Sequence, residues 1–597
     1  MKGMFNRILE FDLGSGETRY HSLPDEVLHE YLGGRGLGVK LFTERASPST
    51  DPLSAENLLV IAAGPETGTK VPTSGRFALV TRSPLTNTIF YSNTGGDFGV
   101  HLKRCGLDAV IIRGASTVPV YVLIDGEDRV EIRDAGHHWG MQTVETHEAL
   151  MAAEGRQVQS LLIGPAGENL VKISSIMNNG RRAFGRGGVG AVMGTKLLKA
   201  IVVKKGSSKA AVHDPHLLDT FVKTAYDKIK VSPVTHSAFP NFGTAALVNV
   251  INDLGMFPIE NFSRGFSPEA HKVSGEAIMK ELFRKKEGCM TCPMNCGRVT
   301  EAGGMKGLGP EYETVWALGP DCGIFDLVKI AQANYYCNLL GLDTISAGTA
   351  IACAMELQKK GILNEPDIRF GNADILIPLI RQMTYREGIG NELGEGSKAF
   401  AEKYGAGDSS ISVKGLDLVA YDPRGAMGHA LGYATSNRGG CHLTGYMAAM
   451  EIFAAPKKID RFTLGGKPDL LALKQNQSAV EDSLVVCKFA GFAVGFDFHA
   501  RFVSLITGED FNITRLLQIG ERIYNLERLF NIKAGFGRRD DSLPKRFLDT
   551  PLAEGLSKDR VVPLDTLLDG YYAVRKWDGN GVPTPAILEK LNLTGIL

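Results

Sequence analysis

No run of about 18 consecutive apolar residues occurs in the chain, which excludes an α-helical membrane span. Neither sign of charge predominates. Lys and Arg together number 66, and so do Asp and Glu, so the balance gives no support for a polyanionic partner such as nucleic acid. The opening segment, MKGMFNRILEFDLGSG, lacks the apolar core of a secretory signal because Arg7 and Glu10 interrupt it. The expectation is a cytoplasmic protein with no membrane association. Solenoid repeats and low-complexity tracts are missing as well.

Against these absences stand 597 residues, 44% hydrophobic and 22% charged. That is ample apolar material for a large core and too much chain for a single one, so about three or four domains are expected. Glycine is abundant, at 70 residues, which implies tight turns and places of close backbone approach. Nine cysteines in a chain expected to be cytoplasmic point to metal or redox chemistry, not to disulfides.

The first part of the chain reads as mainly β. Short apolar runs bounded by Gly, Pro and Asp recur as NLLVIAAG (57–64), DAVIIRG (108–114), VPVYVLID (118–125), SLLIGPAG (160–167) and AIVVKKG (200–206). Between them lie glycine-bearing loops: PTSGR (72–76), SNTGG (92–96) and GRRAFGRGGVGAVMG (180–194). Beyond about residue 210 the apolar spacing becomes helical, over 216–230, 327–341, 345–361, 393–405, 513–535 and 563–577. The expected architecture is α+β. A β-rich domain (1–208) precedes two mainly helical ones (209–415 and 416–597), with a glycine-bearing link near 406–418.

The segment GCMTCPMNCGR (288–298) spaces Cys289, Cys292 and Cys296 as C-x2-C-x3-C. Thiolates this close can face one point if the loop curls, as in iron–sulfur clusters and structural zinc sites. A 4Fe–4S cube needs a fourth ligand, and Cys105, Cys322, Cys337, Cys353, Cys441 and Cys487 are all available. A zinc knuckle competes on spacing alone, but zinc usually takes a second C-x2-C or histidine pair and none follows. A radical-SAM site would order the gaps the other way. Cys105, Cys337 and Cys353 lie in apolar stretches, where a small buried hydrophobe is the simplest reading.

Gly185, Gly187 and Gly190 match G-x-G-x-x-G. A dinucleotide site needs a strand directly before it and an acidic residue about 20 positions later. NNGRRAF reads as a loop, and KKGSSKA (204–210) carries no acid, so that reading is rejected. The remaining possibilities are a phosphate-binding loop flanked by Arg181, Arg182 and Arg186 and a glycine turn with solvated arginines.

Several segments together are more specific: TSGRFALVTRSPLT (73–86), SNTGGDFG (92–99), IGPAGENLVK (163–172), GRGGVGAVMGTKLLKAI (185–201), GPEYETVWALG (309–319), GLDTIS (341–346), YDPRGAMGHALGYATSNRGGCH (421–442) and IGERIYNLERLFNIKAG (519–535). From about residue 4 onward the chain resembles the tungsten aldehyde:ferredoxin oxidoreductase family. The resemblance implies a β-rich base for a tungsten bis-pyranopterin cofactor, with molybdenum as the alternative metal, and two helical domains over it. It also implies one 4Fe–4S cluster whose fourth ligand falls in DSLVVC (482–487), which selects Cys487. Arg76 is implied between a pterin and the cluster. Asn93 and Ala183 are implied as backbone-oxygen ligands of a magnesium ion bridging the pterin phosphates. Gly95, Arg182, Gly185 and Arg186 would line those phosphates, and Leu342, Asp343, Asp482, Val486 and Cys487 would contact the pterin rings.

Glu313 and His442 match the positions taken as catalytic in the family. Without the resemblance, Glu313 reads as a helix-capping carboxylate and His442 as a satisfied core histidine. With it, Glu313 is the general base that activates water toward an aldehyde carbonyl, its pKa raised by burial. His442 is then the donor to the carbonyl oxygen. The partners implied are an aldehyde or carboxylic acid and ferredoxin or an iron–sulfur subunit. Some positions depart from the family pattern. Gln332 and Tyr335 replace an E-x-x-H pair that can hold an iron between subunits, so any homodimer is expected to lack that iron. Asn338 replaces a pterin-binding aspartate, Thr444 replaces a lysine, and DSLVVC lacks a glycine before the leucine position. A ring-reducing aryl-CoA reductase subunit remains an alternative, as does a non-catalytic iron–sulfur or zinc scaffold.

Overall fold

The structure is a computed structural model and describes residues 1–595. The N-terminal part folds into two six-stranded sheets. The first contains β1 (Ile8–Asp12), β2 (Thr18–His21), β3 (Leu59–Ala62), β4 (Phe77–Arg82), β5 (Ile89–Thr94) and β6 (Ala109–Arg113), in the order β2-β1-β6-β3-β4-β5. The second contains β7 (Val120–Asp125), β8 (Arg129–Asp134), β9 (Gln159–Leu162), β10 (Ile176–Asn178), β11 (Arg182–Phe184) and β12 (Leu198–Val203), in the order β11-β10-β9-β12-β7-β8. Most neighbours run antiparallel; β1–β6 and β7–β12 are parallel.

Apart from the exposed edge strand β2, the first sheet is buried on both faces, which explains its unbroken apolar runs. Along β3, Leu59 and Ile61 enter the core shared with the second sheet, while Val60 and Ala62 face the other way. β6 alternates identically, with Val110 and Ile112 inward and Ala109 and Ile111 outward. The outward side is covered by the helix Gly34–Thr43 and by two helices from the far end of the chain, Lys467–Leu484 and Ile513–Lys533. No helix of the described residues is long and apolar enough to cross a membrane.

The expected helices form at 215–231, 327–340, 344–359, 513–533 and 564–575. The stretch 393–405 is broken: helices Gly390–Leu393 and Ser397–Lys403 are separated near Gly396, whose φ is 94°. Two features differ from the sequence reading. The segment RAF (182–184), read as a loop, is the edge strand β11. It is antiparallel to β10, and the helix Val189–Thr195 that follows leads to β12, with β10 and β9 lying between, so no βαβ unit forms. The helical region also holds a three-stranded sheet of β13 (Phe283–Glu287), β14 (Gly297–Ala302) and β15 (Met305–Leu308). Its hairpin turns on Gly303 and Gly304, both with positive φ, a two-glycine signal of the kind that tight hairpins require.

Arg35 ties the two ends of the chain together. Its guanidinium is fully buried and donates to both oxygens of Glu527 at 2.7 Å and to Asp482 at 3.4 Å, stacked 3.7 Å over the Tyr91 ring. Truncating one member of such a pair leaves a buried charge without a partner. Arg35→Ala is expected to destabilise the fold by about 3–5 kcal/mol, read as a lowered denaturant midpoint, and adding Glu527→Gln should recover part of the loss.

Candidate active site

β5 and β11 are outer strands of their sheets, and they pack against each other. Edge strands present unpaired backbone groups, and here those groups border a cavity of about 370 Å³. Asn93, Thr94 and Gly95 line it from one sheet and Arg182 and Ala183 from the other. Cys289, Cys292 and Cys296, in the loop between β13 and β14, line it too, as does Cys487 just beyond the helix Lys467–Leu484. These four cysteines are partly exposed, whereas the other five are buried.

The backbone of Thr73 joins the two cysteine segments. Its N–H donates to the Thr291 carbonyl at 3.1 Å, and its carbonyl accepts from the Cys487 N–H at 3.2 Å. Thr73, Thr291 and Val485 all have φ between 60° and 68°, a left-handed conformation unfavourable for β-branched residues. Such strain persists only where surrounding contacts enforce it. Glycine is required beneath the loop. A Cβ on Gly95 would stand 2.6 Å from Cys289 Sγ, and one on Gly75 would stand 2.7 Å from the Met290 carbonyl oxygen.

Around the cysteines the charge is cationic. Arg182 faces Cys289, Cys296 and Glu311, the last at 3.7 Å, and Arg76 donates to the Asn93 carbonyl at 3.1 Å. Burial, then the nearby Cys487, pushes the Cys292 thiol up to about 12, and burial and Glu311 raise Cys296 as well. A cationic group among the four would reverse that, because a metal binds the thiolate. Among the described residues no three His, Cys, Asp or Glu side chains are grouped to hold a single metal ion. A lone zinc would need its sulfurs about 2.3 Å from one centre. Four thiols spread around one cavity suit a cluster in which each sulfur binds a different iron. Thr73 Oγ1, Asn93 Oδ1 and His442 Nδ1, on residues of the same lining, are buried without a protein partner. Buried polar atoms are normally satisfied, so these point to an occupant.

Another part of the same lining is rich in tyrosine. Glu313 lies in the first turn of the helix Tyr312–Ala317. It does not cap that helix; its Oε2 accepts from the Ala420 N–H at 2.9 Å. Burial pushes its carboxyl up to about 8, against the lowering effects of Ala420 and Arg186. His442 Nε2 stands 3.6 Å from Glu313 Oε1. Burial, then His429 and Arg186, holds the imidazole well below its usual pKa. The contact is therefore between two neutral groups and is not an ion pair. Tyr421 and Tyr446 lie 5.8 and 5.9 Å from the His442 ring, their hydroxyls share a 3.1 Å hydrogen bond, and Tyr312 donates to the Ala420 carbonyl at 2.7 Å. These three tyrosines line the cavity. They were not singled out from sequence, although Tyr312 and Tyr421 stand inside the motifs GPEYETVWALG and YDPRG.

Of the remaining expected residues, Arg76 and Asn338 also line the cavity; Gly185, Arg186, Leu342, Asp343, Asp482 and Val486 do not. Arg186 pairs with Asp343 at 3.3 Å and donates to the Asp417 carbonyl at 2.8 Å. Asp343 caps the helix Thr344–Lys359 through the Ile345 N–H at 3.1 Å, and Leu342 is core. Asp482 pairs with Lys488 at 3.1 Å, and Val486 packs in the core on the first sheet. Tyr335 is buried with its hydroxyl 2.6 Å from Thr300 Oγ1, so it is a packing residue.

Residues 8–205 match the N-terminal domain of aldehyde ferredoxin oxidoreductase, and residues 220–593 match domains 2 and 3 of the same enzyme. The chain belongs to the aldehyde ferredoxin oxidoreductase family. It is 45% identical to the tungsten-containing aldehyde ferredoxin oxidoreductase of Pyrococcus furiosus over 99% of both chains. It is also 45% identical to that of Thermococcus kodakarensis over 97% of both. Among solved structures, the active-site complex of benzoyl-coenzyme A reductase with 1,5-dienoyl-CoA superposes with a TM-score of 0.86 at 25% identity, covering 100% of this chain and 98% of that one. In this oxidoreductase family member, then, the four thiols and the Glu313 carboxyl line one cavity. Gly95→Ala should displace Cys289 and weaken retention of bound iron by about 10–100-fold, measured as iron per chain during chelator titration, with the far-UV spectrum unchanged.

Proposed function

We propose that this chain oxidises aldehydes to carboxylic acids and passes the electrons, through a 4Fe–4S cluster on Cys289, Cys292, Cys296 and Cys487, to ferredoxin or a dedicated iron–sulfur subunit. The observation that carries the reading is the single cavity whose lining holds both the four thiols and the Glu313–His442 pair. The overall change is RCHO + H2O to RCOOH + 2H⁺ + 2e⁻. A tungsten bis-pyranopterin, when bound, supplies the two-electron acceptor and Lewis acid.

The chain's own residues do the rest. Arg182 and Arg76 offer guanidinium groups to the pterin phosphates, and Gly95 lets the backbone approach them. The backbone oxygens of Asn93 and Ala183, on facing edge strands, would offer oxygen ligands to a magnesium ion, and Asn338 would offer its amide to a pterin. The roles of Gly185 and Arg186 at the phosphates, and of Leu342, Asp343, Asp482 and Val486 at the rings, rest on the family resemblance. Once deprotonated, Glu313 takes a proton from the attacking water. His442, neutral, donates a ring N–H to the carbonyl oxygen as charge develops there. The three tyrosines exclude bulk water and give the aldehyde side chain an apolar wall.

Residues 1–208, 209–415 and 416–597 are taken as the three units of a cytoplasmic enzyme. A homodimer of it would lack an interface iron, since Gln332 and Tyr335 occupy those positions. The ring-reducing reading has the weaker support, because the aryl-CoA enzyme is 25% identical whereas the aldehyde enzymes are 45% identical. Assays with aldehydes against aryl-CoA thioesters separate the two. Glu313→Gln is expected to lower kcat by about 10²–10⁴-fold while tungsten and iron contents stay at wild-type levels. Because the base works only when ionised, wild-type kcat/KM should rise with pH through about 8, and the residual rate of the variant should not.

A further inference from the structure

The cysteine loop has two faces. The inner one lines the active-site cavity; on the outer one, Pro293, Met294 and Asn295 floor a groove that opens to solvent. Met294 borders both spaces, so a single side chain, flanked in sequence by Cys292 and Cys296, separates the thiols from the groove. The walls carry Lys230 and His236 on one side and Lys286 of β13 on the other. Among the described residues that line it, none is acidic. Lys286 makes no ion pair among the described residues; its ammonium reaches only Asn241 Oδ1, at 3.3 Å. Lys285, next to it in the chain, is exposed, and Val231, next to Lys230 in the chain, is 79% exposed. The nearest carboxylates are engaged elsewhere or weakly placed. Glu287 pairs with Arg181 at 3.2 Å, and Asp227 stands 3.9 Å from Lys230.

We propose that this groove is the docking site of an acidic iron–sulfur electron carrier and that electrons leave across the Pro293–Asn295 segment. The proposal rests on the reading that the four cysteines hold the cluster. Electron transfer weakens steeply with distance, and Met294 of the cysteine loop lines both the cavity and the groove. The chain as a whole has no net charge, so the groove's lysines, Lys286 without an ion pair among the described residues and Lys230 with one at 3.9 Å, set the field that an approaching anion meets. Electron-transfer complexes are small and transient. A short cationic groove suits them, with charge governing encounter more than residence. Each docking moves one electron from the cluster to an oxidised carrier, so one aldehyde reduces two carrier molecules.

The test uses the holoenzyme, an acidic 4Fe–4S ferredoxin, and the variants K230E/K286E and K230Q/K286Q. Titration should show binding by K230E/K286E weakened at least about tenfold at low ionic strength, with the salt dependence flattened and K230Q/K286Q intermediate. Aldehyde oxidation with a viologen dye should be unchanged in both, which also shows that both are folded. Equal affinity and equal salt dependence in wild type and K230E/K286E overturn the proposal. So does a wild-type dimer that the substitutions split, since the groove would then be occupied by a second copy of the chain. If the wild-type holoenzyme oxidises no aldehyde with the dye, the function proposed above falls, and the binding titration still decides the surface.

Discussion

The site depends on one backbone junction. Thr73 lies between the first sheet and two segments that arrive from much later in the chain, donating to Thr291 and accepting from Cys487. Those bonds are made while Thr73, Thr291 and Val485 occupy a left-handed backbone region that β-branched residues avoid. Strain of this kind is sustained by packing around it. Here that packing includes Gly75 and Gly95, where any side chain would collide with the cysteine loop. The geometry of the four sulfurs thus follows from where β4 and β5 lie in the first sheet, and the sheet in turn is held by the C-terminal helices that cover it.

The cavity contains two electrostatic environments. Near the cysteines, Arg76 and Arg182 keep the surroundings positive, suited to thiolates and phosphates. Around Glu313 and His442, burial disfavours charge on either group, and His429 and Arg186 add to it at His442. A carboxyl whose pKa lies near neutrality can serve as either acid or base, and a neutral imidazole donates a hydrogen bond without placing a full charge beside the substrate.

Much of this was legible in the sequence. Strands such as NLLVIAAG and DAVIIRG were readable because both faces are buried, which writes the strand as a continuous apolar run. The three clustered cysteines were readable from spacing, and Glu313 and His442 from family motifs. β11 was hidden because it is three residues long, carries an arginine and is flanked by glycines. The sheet around the cysteine loop was hidden because β13 is a nearly all-charged run, FRKKE, with no alternation of apolar residues. The tyrosines could not be assigned because their meaning is tertiary: Tyr312, Tyr421 and Tyr446 become one wall only when three separate segments meet. The orphaned Asn93 Oδ1 and Thr73 Oγ1 are likewise visible only once the fold has taken water away from them.

Cys487 enters the chain long after Cys289, Cys292 and Cys296, and its place is fixed by the Thr73 carbonyl. On the proposed assignment of the four cysteines to one cluster, a growing polypeptide holds an incomplete ligand set until the helix Lys467–Leu484 has been made and has settled on the first sheet. Biogenesis of such a holoprotein would be ordered accordingly: the apoprotein would be nearly finished and folded before an inorganic centre could be locked in, and a chain truncated before residue 487 would expose three sulfurs that cannot complete a four-sulfur cage.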